Sequence, residues 1–168
     1  MKIAFVFPGQ GSQSVGMLDA WVGSAEVQTV MRRAGAALGH DLGALIAQGP
    51  AEDLGLTVNT QPAMLATGLA FYAAWRAAGG PLPDVMAGHS LGEYTALTAA
   101  GVFSLEDAVQ LVRYRAQVMQ EAVPVGSGSM AAILDWTTRP WHRPAPRQLQ
   151  GLPARLSSRS TSMPRRRW

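Results

Sequence analysis

Apolar and polar positions divide the chain into short extended runs that alternate with longer helical ones. Residues 2–7, Lys2-Ile3-Ala4-Phe5-Val6-Phe7, form a β-prone run stopped by Pro8-Gly9, which predicts a buried strand followed by a glycine-rich turn. Ser24 is placed to cap a helix running to about Leu38, with Gly39 as its stop. Asp41 is placed to cap a shorter helix ending at Gly49-Pro50, and another turn or short helix follows over 51–54. Thr60-Gln61-Pro62 opens a long apolar helix with Pro62 near its first helical position, and Gly79-Gly80-Pro81 ends it. Residues 84–87 predict a second strand and 91–100 a helix stopped by Gly101. Ser104 caps a further helix reaching about Ala122, whose apolar stripe Ala108, Leu111, Val112, Ala116 and Met119 is expected to be buried. One more strand is predicted over 129–134, after the flexible turn Gly126-Ser127-Gly128. Strands alternating with helices argue for an α/β fold with a largely parallel sheet.

With 48% apolar and only 15% charged residues among 168, the bulk of the chain has the makings of one globular domain. There are no cysteines, which removes disulfides, thiolate metal sites and a Cys nucleophile, and fits a reducing, cytoplasmic setting. The first apolar run is too short for a signal peptide, and the longest greasy stretch, residues 64–75, contains Thr67 and Gly68 and reads as a buried helix, not a membrane span.

The net charge of +3 conceals two opposite parts. Residues 1–135 carry all eleven acids and six basic side chains, whereas 136–168 carry eight arginines, five prolines and no acid. That second stretch has no usable apolar period and is expected to be disordered. One reading is a tail for nucleic acid or an anionic surface. Because the break falls inside what reads as the start of a folding unit, a shifted reading frame in GC-rich DNA is the preferred reading, and no nucleic-acid partner is expected.

Candidate chemistry centres on Gly88-His89-Ser90-Leu91-Gly92, between a predicted strand and a predicted helix. This is the pattern of a nucleophile elbow, a Ser on a sharp strand-to-helix turn with small neighbours on both sides. The bland reading is a Ser that only caps the helix beginning at Leu91. After the first strand, Pro8-Gly9-Gln10-Gly11-Ser12-Gln13 lacks the Gly-Lys-Ser/Thr of a phosphate loop and has Ser14 where a dinucleotide motif needs its third glycine. It offers backbone N–H groups near the elbow, where a second oxyanion donor is needed beside the Leu91 amide.

Arg115 shares the predicted apolar stripe, so its guanidinium needs an anion, and its planar fork suits a carboxylate. Arg113, two residues away, is expected on the solvated side. The alternatives for Arg115 are a structural ion pair or a stem that reaches solvent. His89 is poorly placed to reach Ser90, because adjacent residues on a sharp elbow point apart. Glu93 suits the helix dipole of the first turn and His40 a helix end.

The two glycine motifs, together with Asn59-Thr60-Gln61-Pro62-Ala63 and Met119-Gln120-Glu121-Ala122-Val123-Pro124, resemble the malonyl-CoA:acyl carrier protein transacylase family over residues 1 to about 134. The resemblance implies an acyltransferase (α/β-hydrolase-like) core over 1–128, and 129–135 as the first strand of an otherwise missing ferredoxin-like subdomain; 136–168 is the tail. It implies Ser90 as nucleophile, the backbone amides of Gln10 and Leu91 as oxyanion hole and Arg115 as partner of the substrate carboxylate. The reaction implied is malonyl transfer from coenzyme A to the phosphopantetheine thiol of acyl carrier protein, in fatty acid or polyketide biosynthesis. No bound cofactor, metal or membrane is implied; malonyl-CoA is the substrate.

The family's general base is a His far downstream of the elbow, and no residue here matches it; His142 lies in the tail without a matching motif. The expectation is therefore a truncated, impaired enzyme with uncovered apolar faces. A serine esterase or thioesterase, and a non-catalytic truncated module, are the alternatives.

Overall fold

The computed structural model describes residues 2–122. Strands β1 (Ala4–Phe7) and β2 (Val85–Gly88) pair in parallel, Ala4 opposite Val85 and Phe7 opposite Gly88. Between them run α1 (Ala25–Leu38), α2 (Leu42–Gln48), α3 (Ala51–Gly55) and α4 (Thr57–Ala77); α5 (Leu91–Ala99) and α6 (Leu105–Glu121) follow. The described fold is α/β with a small parallel sheet, as the alternation predicts. The strand expected over 129–134, the tail over 136–168 and His142 lie outside the described residues.

Local chemistry sets most boundaries. Ser24 Oγ accepts the Val27 amide at 3.3 Å, Asp41 Oδ1 the Ala44 amide at 2.9 Å and Ser104 Oγ the Asp107 amide at 3.0 Å, so three helices start on side-chain caps. Gly39 ends α1 in the left-handed region, φ 72°, which a side chain would resist. Asp84 precedes β2 and ties the strands at their open end: its Oδ2 accepts the Ile3 amide at 2.8 Å, and its own amide donates to the Ile3 carbonyl.

Helix α4 is the centre of the core. Residues 60–67 are buried on consecutive positions, because α1, α5 and α6 surround the helix. It begins a turn before the predicted start, so Pro62 is its sixth residue, not near its first. The early start is held by two side chains that reach back to α3: Asn59 Nδ2 donates to the Asp53 carbonyl and Thr60 Oγ1 to that of Leu54. Burial of Pro62 and these two bonds outweigh the helical bond its missing N–H forfeits.

Two expectations for α6 are corrected. Leu111 is 38% exposed and Met119 only partly buried, and Val109 joins Ala108, Val112 and Ala116 on the buried stripe. Arg113 is not freely solvated: it is half-buried, and its Nη1 is buried without a hydrogen-bond partner among the described residues. Residues two apart on a helix differ by about 200°, so Arg113 and Arg115 flank the stripe on its two margins rather than pointing in and out.

Phe5 and Phe7 point toward α4, where Phe5 meets Tyr72 and Trp75 edge-on with ring centroids 5.7 and 5.6 Å apart. The opposite sheet face is open among the described residues, with Val6 75% and Val85 60% exposed. Exposed apolar side chains on that face agree with the expectation of uncovered surface.

Helices α1 and α6 are also joined by Arg33 and Glu106, Nε to Oε1 at 2.7 Å and Nη2 to Oε2 at 2.9 Å. The hydrogen bond from Arg33 holds the Glu106 carboxyl below the usual carboxylate range, helped by a backbone hydrogen bond at Glu106. Its contribution to stability is present above the unfolded-state value of about 4.3 and lost as pH falls through the lower folded value. Both groups are well exposed, so the pair is worth no more than about 0.5 kcal/mol. Melting curves should place Glu106→Gln within about 3 °C of the parent at pH 7. The two curves should converge as pH falls through the lowered folded-state value of Glu106, where the parent's carboxyl also becomes neutral.

Candidate functional site

The elbow is built by backbone crowding. Ser90 has φ 55° and ψ −111°, and it is the only non-glycine residue with positive φ among those described. A side chain there is strained, and it persists because the surrounding backbone leaves no alternative. A Cβ on Gly88 would overlap the backbone of Gly92, and one on Gly92 would overlap the Phe7 carbonyl. A Cβ on Gly9 would stand 2.9 Å from the His89 carbonyl oxygen. The glycines thus press β1, the loop after it and the elbow into one tight junction.

Ser90 occupies the N-cap position of α5, yet its side chain accepts no cap hydrogen bond. The bland reading as a helix cap therefore fails. Its hydroxyl is exposed and is engaged instead by Arg115, whose Nη2 donates to Ser90 Oγ at 3.0 Å. Arg115 reaches there from α6, twenty-five positions along the chain. Its Nη1 donates to Gln61 Oε1 at 2.7 Å, and its Cζ lies over the Tyr94 ring, 5.5 Å from the centroid. The one ion pair among the described residues is Arg33–Glu106, so Arg115 has no carboxylate partner among them.

Gln61 is fully buried in α4, and its Nε2 donates to Met119 Sδ at 3.4 Å. A buried amide inside an apolar helix has to find partners. That was the signal available in the sequence for Gln61, and Tyr94, four residues after Ser90 on one helix face, had a similar one.

Two backbone amides complete the geometry. The N–H groups of Gln10 and Leu91 form no hydrogen bond with another described residue, the latter at the first position of α5 where N–H groups are left free by the helix. Gln10 is tethered through its side chain, Nε2 to Thr57 Oγ1 at 3.2 Å, which anchors the loop to the start of α4. The positive end of the α5 dipole is directed at the Ser90 position. Its exposed first-turn acid, Glu93, suits that dipole, and the His89 imidazole lies beside Gly9. Among the described residues no histidine is hydrogen-bonded to Ser90, and no group of acidic or imidazole side chains could hold a metal ion. No helix among them is long and apolar enough to cross a membrane.

Comparison with known proteins places this geometry. The acyl transferase domain family matches residues 4–154. The malonyl CoA-acyl carrier protein transacylase of Escherichia coli (strain K12) is 56% identical over 134 residues, which cover 79% of this chain and 43% of that protein. Its counterpart in Bacillus subtilis (strain 168) is 49% identical over 134 residues, 79% of this chain and 42% of the relative. Among solved structures, an acyl-carrier-protein S-malonyltransferase from Burkholderia pseudomallei 1710b superposes with TM-score 0.73 at 62% identity, over 75% of this chain and 41% of the other. A chain of a malonyl-transacylase in complex with its type II PKS acyl-carrier protein superposes with TM-score 0.73 at 50% identity, over 75% and 41%. The chain thus spans less than half the length of these relatives.

Proposed function

This chain belongs to the acyl transferase domain family, and we propose that its described half of the site binds malonyl-CoA and passes the malonyl group through Ser90 to the thiol of an acyl carrier protein. The observation that carries the reading is the 3.0 Å contact between Arg115 Nη2 and Ser90 Oγ on a strained elbow. A cation held beside a nucleophile, without a carboxylate partner among the described residues, suits an acyl group whose far end is itself a carboxylate. The relatives' names point to the same substrate and carrier.

Chemically, Ser90 Oγ attacks the thioester carbonyl, a C–O bond forms and the C–S bond breaks. Coenzyme A leaves as its thiol, taking up the proton that the hydroxyl gives up. The carrier thiol then attacks the Ser90 ester and restores the hydroxyl. Free amides at Gln10 and Leu91 support their role as donors to the oxyanion of each tetrahedral intermediate. The proton acceptor for Ser90 is assigned to no described residue, because neither His40 nor His89 is hydrogen-bonded to it. No cofactor or metal enters these steps, and a cytoplasmic setting belongs to this reading. The esterase or thioesterase alternative leaves the placement of Arg115 without purpose.

The test is discrimination between malonyl-CoA and acetyl-CoA. Arg115→Gln should lower acylation by malonyl-CoA about 10- to 100-fold, the value of a lost charge-assisted hydrogen bond, and leave the acetyl reaction nearly unchanged. Equal losses for both substrates would contradict a carboxylate-binding role.

A further inference from the structure

We propose that Tyr94 is the positioning residue that keeps the Arg115 guanidinium with its edge toward the Ser90 hydroxyl, and so sets the preference for carboxylated acyl groups. The proposal rests on the reading of Ser90 and Arg115 as the acyl site. Tyr94 stands in the first turn of α5, four residues after Ser90, and Arg115 touches both side chains. The Arg115 Cζ lies over that ring at 5.5 Å, within the range of cation–π attraction.

The guanidinium is pinned at three places. Its Nη1 donates to Gln61 and its Nη2 to Ser90, at 2.7 and 3.0 Å. Two hydrogen bonds from the terminal nitrogens fix an edge, but a planar group held by an edge still hinges about it. The Tyr94 face closes that hinge. When a carboxylate displaces the Ser90 contact, the Gln61 bond and the ring keep the plane in place, so the fork meets its ligand already oriented. The guanidinium meets the ring of Tyr94, so the ring and not the phenol performs this task.

Equilibrium binding of malonyl-CoA and of acetyl-CoA to the full 168-residue chain, by titration calorimetry, separates the possibilities. The wild type should prefer malonyl-CoA, and Arg115→Gln should abolish the preference. Tyr94→Leu should cut it about three- to tenfold while acetyl-CoA affinity stays within about twofold, and Tyr94→Phe should retain it. If Arg115→Gln abolishes the preference and Tyr94→Leu leaves it intact, the positioning role is overturned and the acyl-site reading stands. If the wild type has no preference, or Arg115→Gln keeps it, both are overturned. Should Tyr94→Leu fail to fold, the wild type decides by NMR: the Arg115 side-chain N–H resonances must be shifted upfield by the ring current, and ordinary positions overturn the proposal.

Discussion

Ser90→Ala is expected to abolish the acyl-enzyme formed with malonyl-CoA, leaving less than about 1% of the parent's labelling. Among the described residues no other hydroxyl is hydrogen-bonded to Arg115. The Ser90 oxygen sits where a positive φ lifts it clear of the sheet, beside the first turn of α5, and Arg115 marks the spot from α6. The variant should keep its melting temperature or gain slightly, because Ala removes a hydroxyl that caps nothing while the backbone strain remains. Binding of malonyl-CoA should survive within a few-fold, since Arg115 and the two amides are untouched. A variant that still forms the acyl-enzyme as readily as the parent would remove Ser90 from the reaction.

Gly92→Ala should unfold the junction that makes the site. A Cβ there overlaps the Phe7 carbonyl oxygen, with the Phe7 carbonyl carbon at 2.9 Å and the Pro8 oxygen at 3.0 Å. All three are backbone atoms of β1 and the loop after it, so no rotamer change relieves the clash. Helix α5 must part from β1, which also separates the Leu91 amide from the Gln10 loop. Overpacking against flexible side chains costs roughly 1–3 kcal/mol, and against backbone the cost lies at or beyond the upper end. That corresponds to a fall in melting temperature on the order of 10 °C or more. Gly55→Ala is the control: nothing lies within 4 Å of its Cβ position at the end of α3, and it should melt with the parent. Gly92→Ala melting within about 2 °C of the parent would show the junction to be loose.

Much of this architecture was legible in the residues. Caps at Ser24, Asp41 and Ser104, the stop at Gly39 and both strands stand where polar and small residues interrupt apolar runs, because those signals act locally. The start of α4 at Thr57 is not legible locally, since the side-chain bonds from Asn59 and Thr60 to α3 are tertiary facts with no local signature. The α6 stripe departs from the expectation at Leu111 and Met119, because Val109 and Leu111 are both apolar and only neighbouring helices decide which is covered. For the candidate site, the elbow pattern points to Ser90, while the meeting of Ser90 with Arg115 depends on how α5 and α6 pack. Gln61 and Tyr94 were invisible as site residues for the same reason: each matters only through a guanidinium that arrives from a distant helix.

The most direct measurement is to incubate the chain with malonyl-CoA, quench in acid, digest and locate the acyl group by tandem mass spectrometry. A malonyl ester on Ser90, missing in Ser90→Ala and much weaker with acetyl-CoA, is the predicted result. An unmodified Ser90, or malonyl and acetyl groups loaded there equally well, would contradict the account.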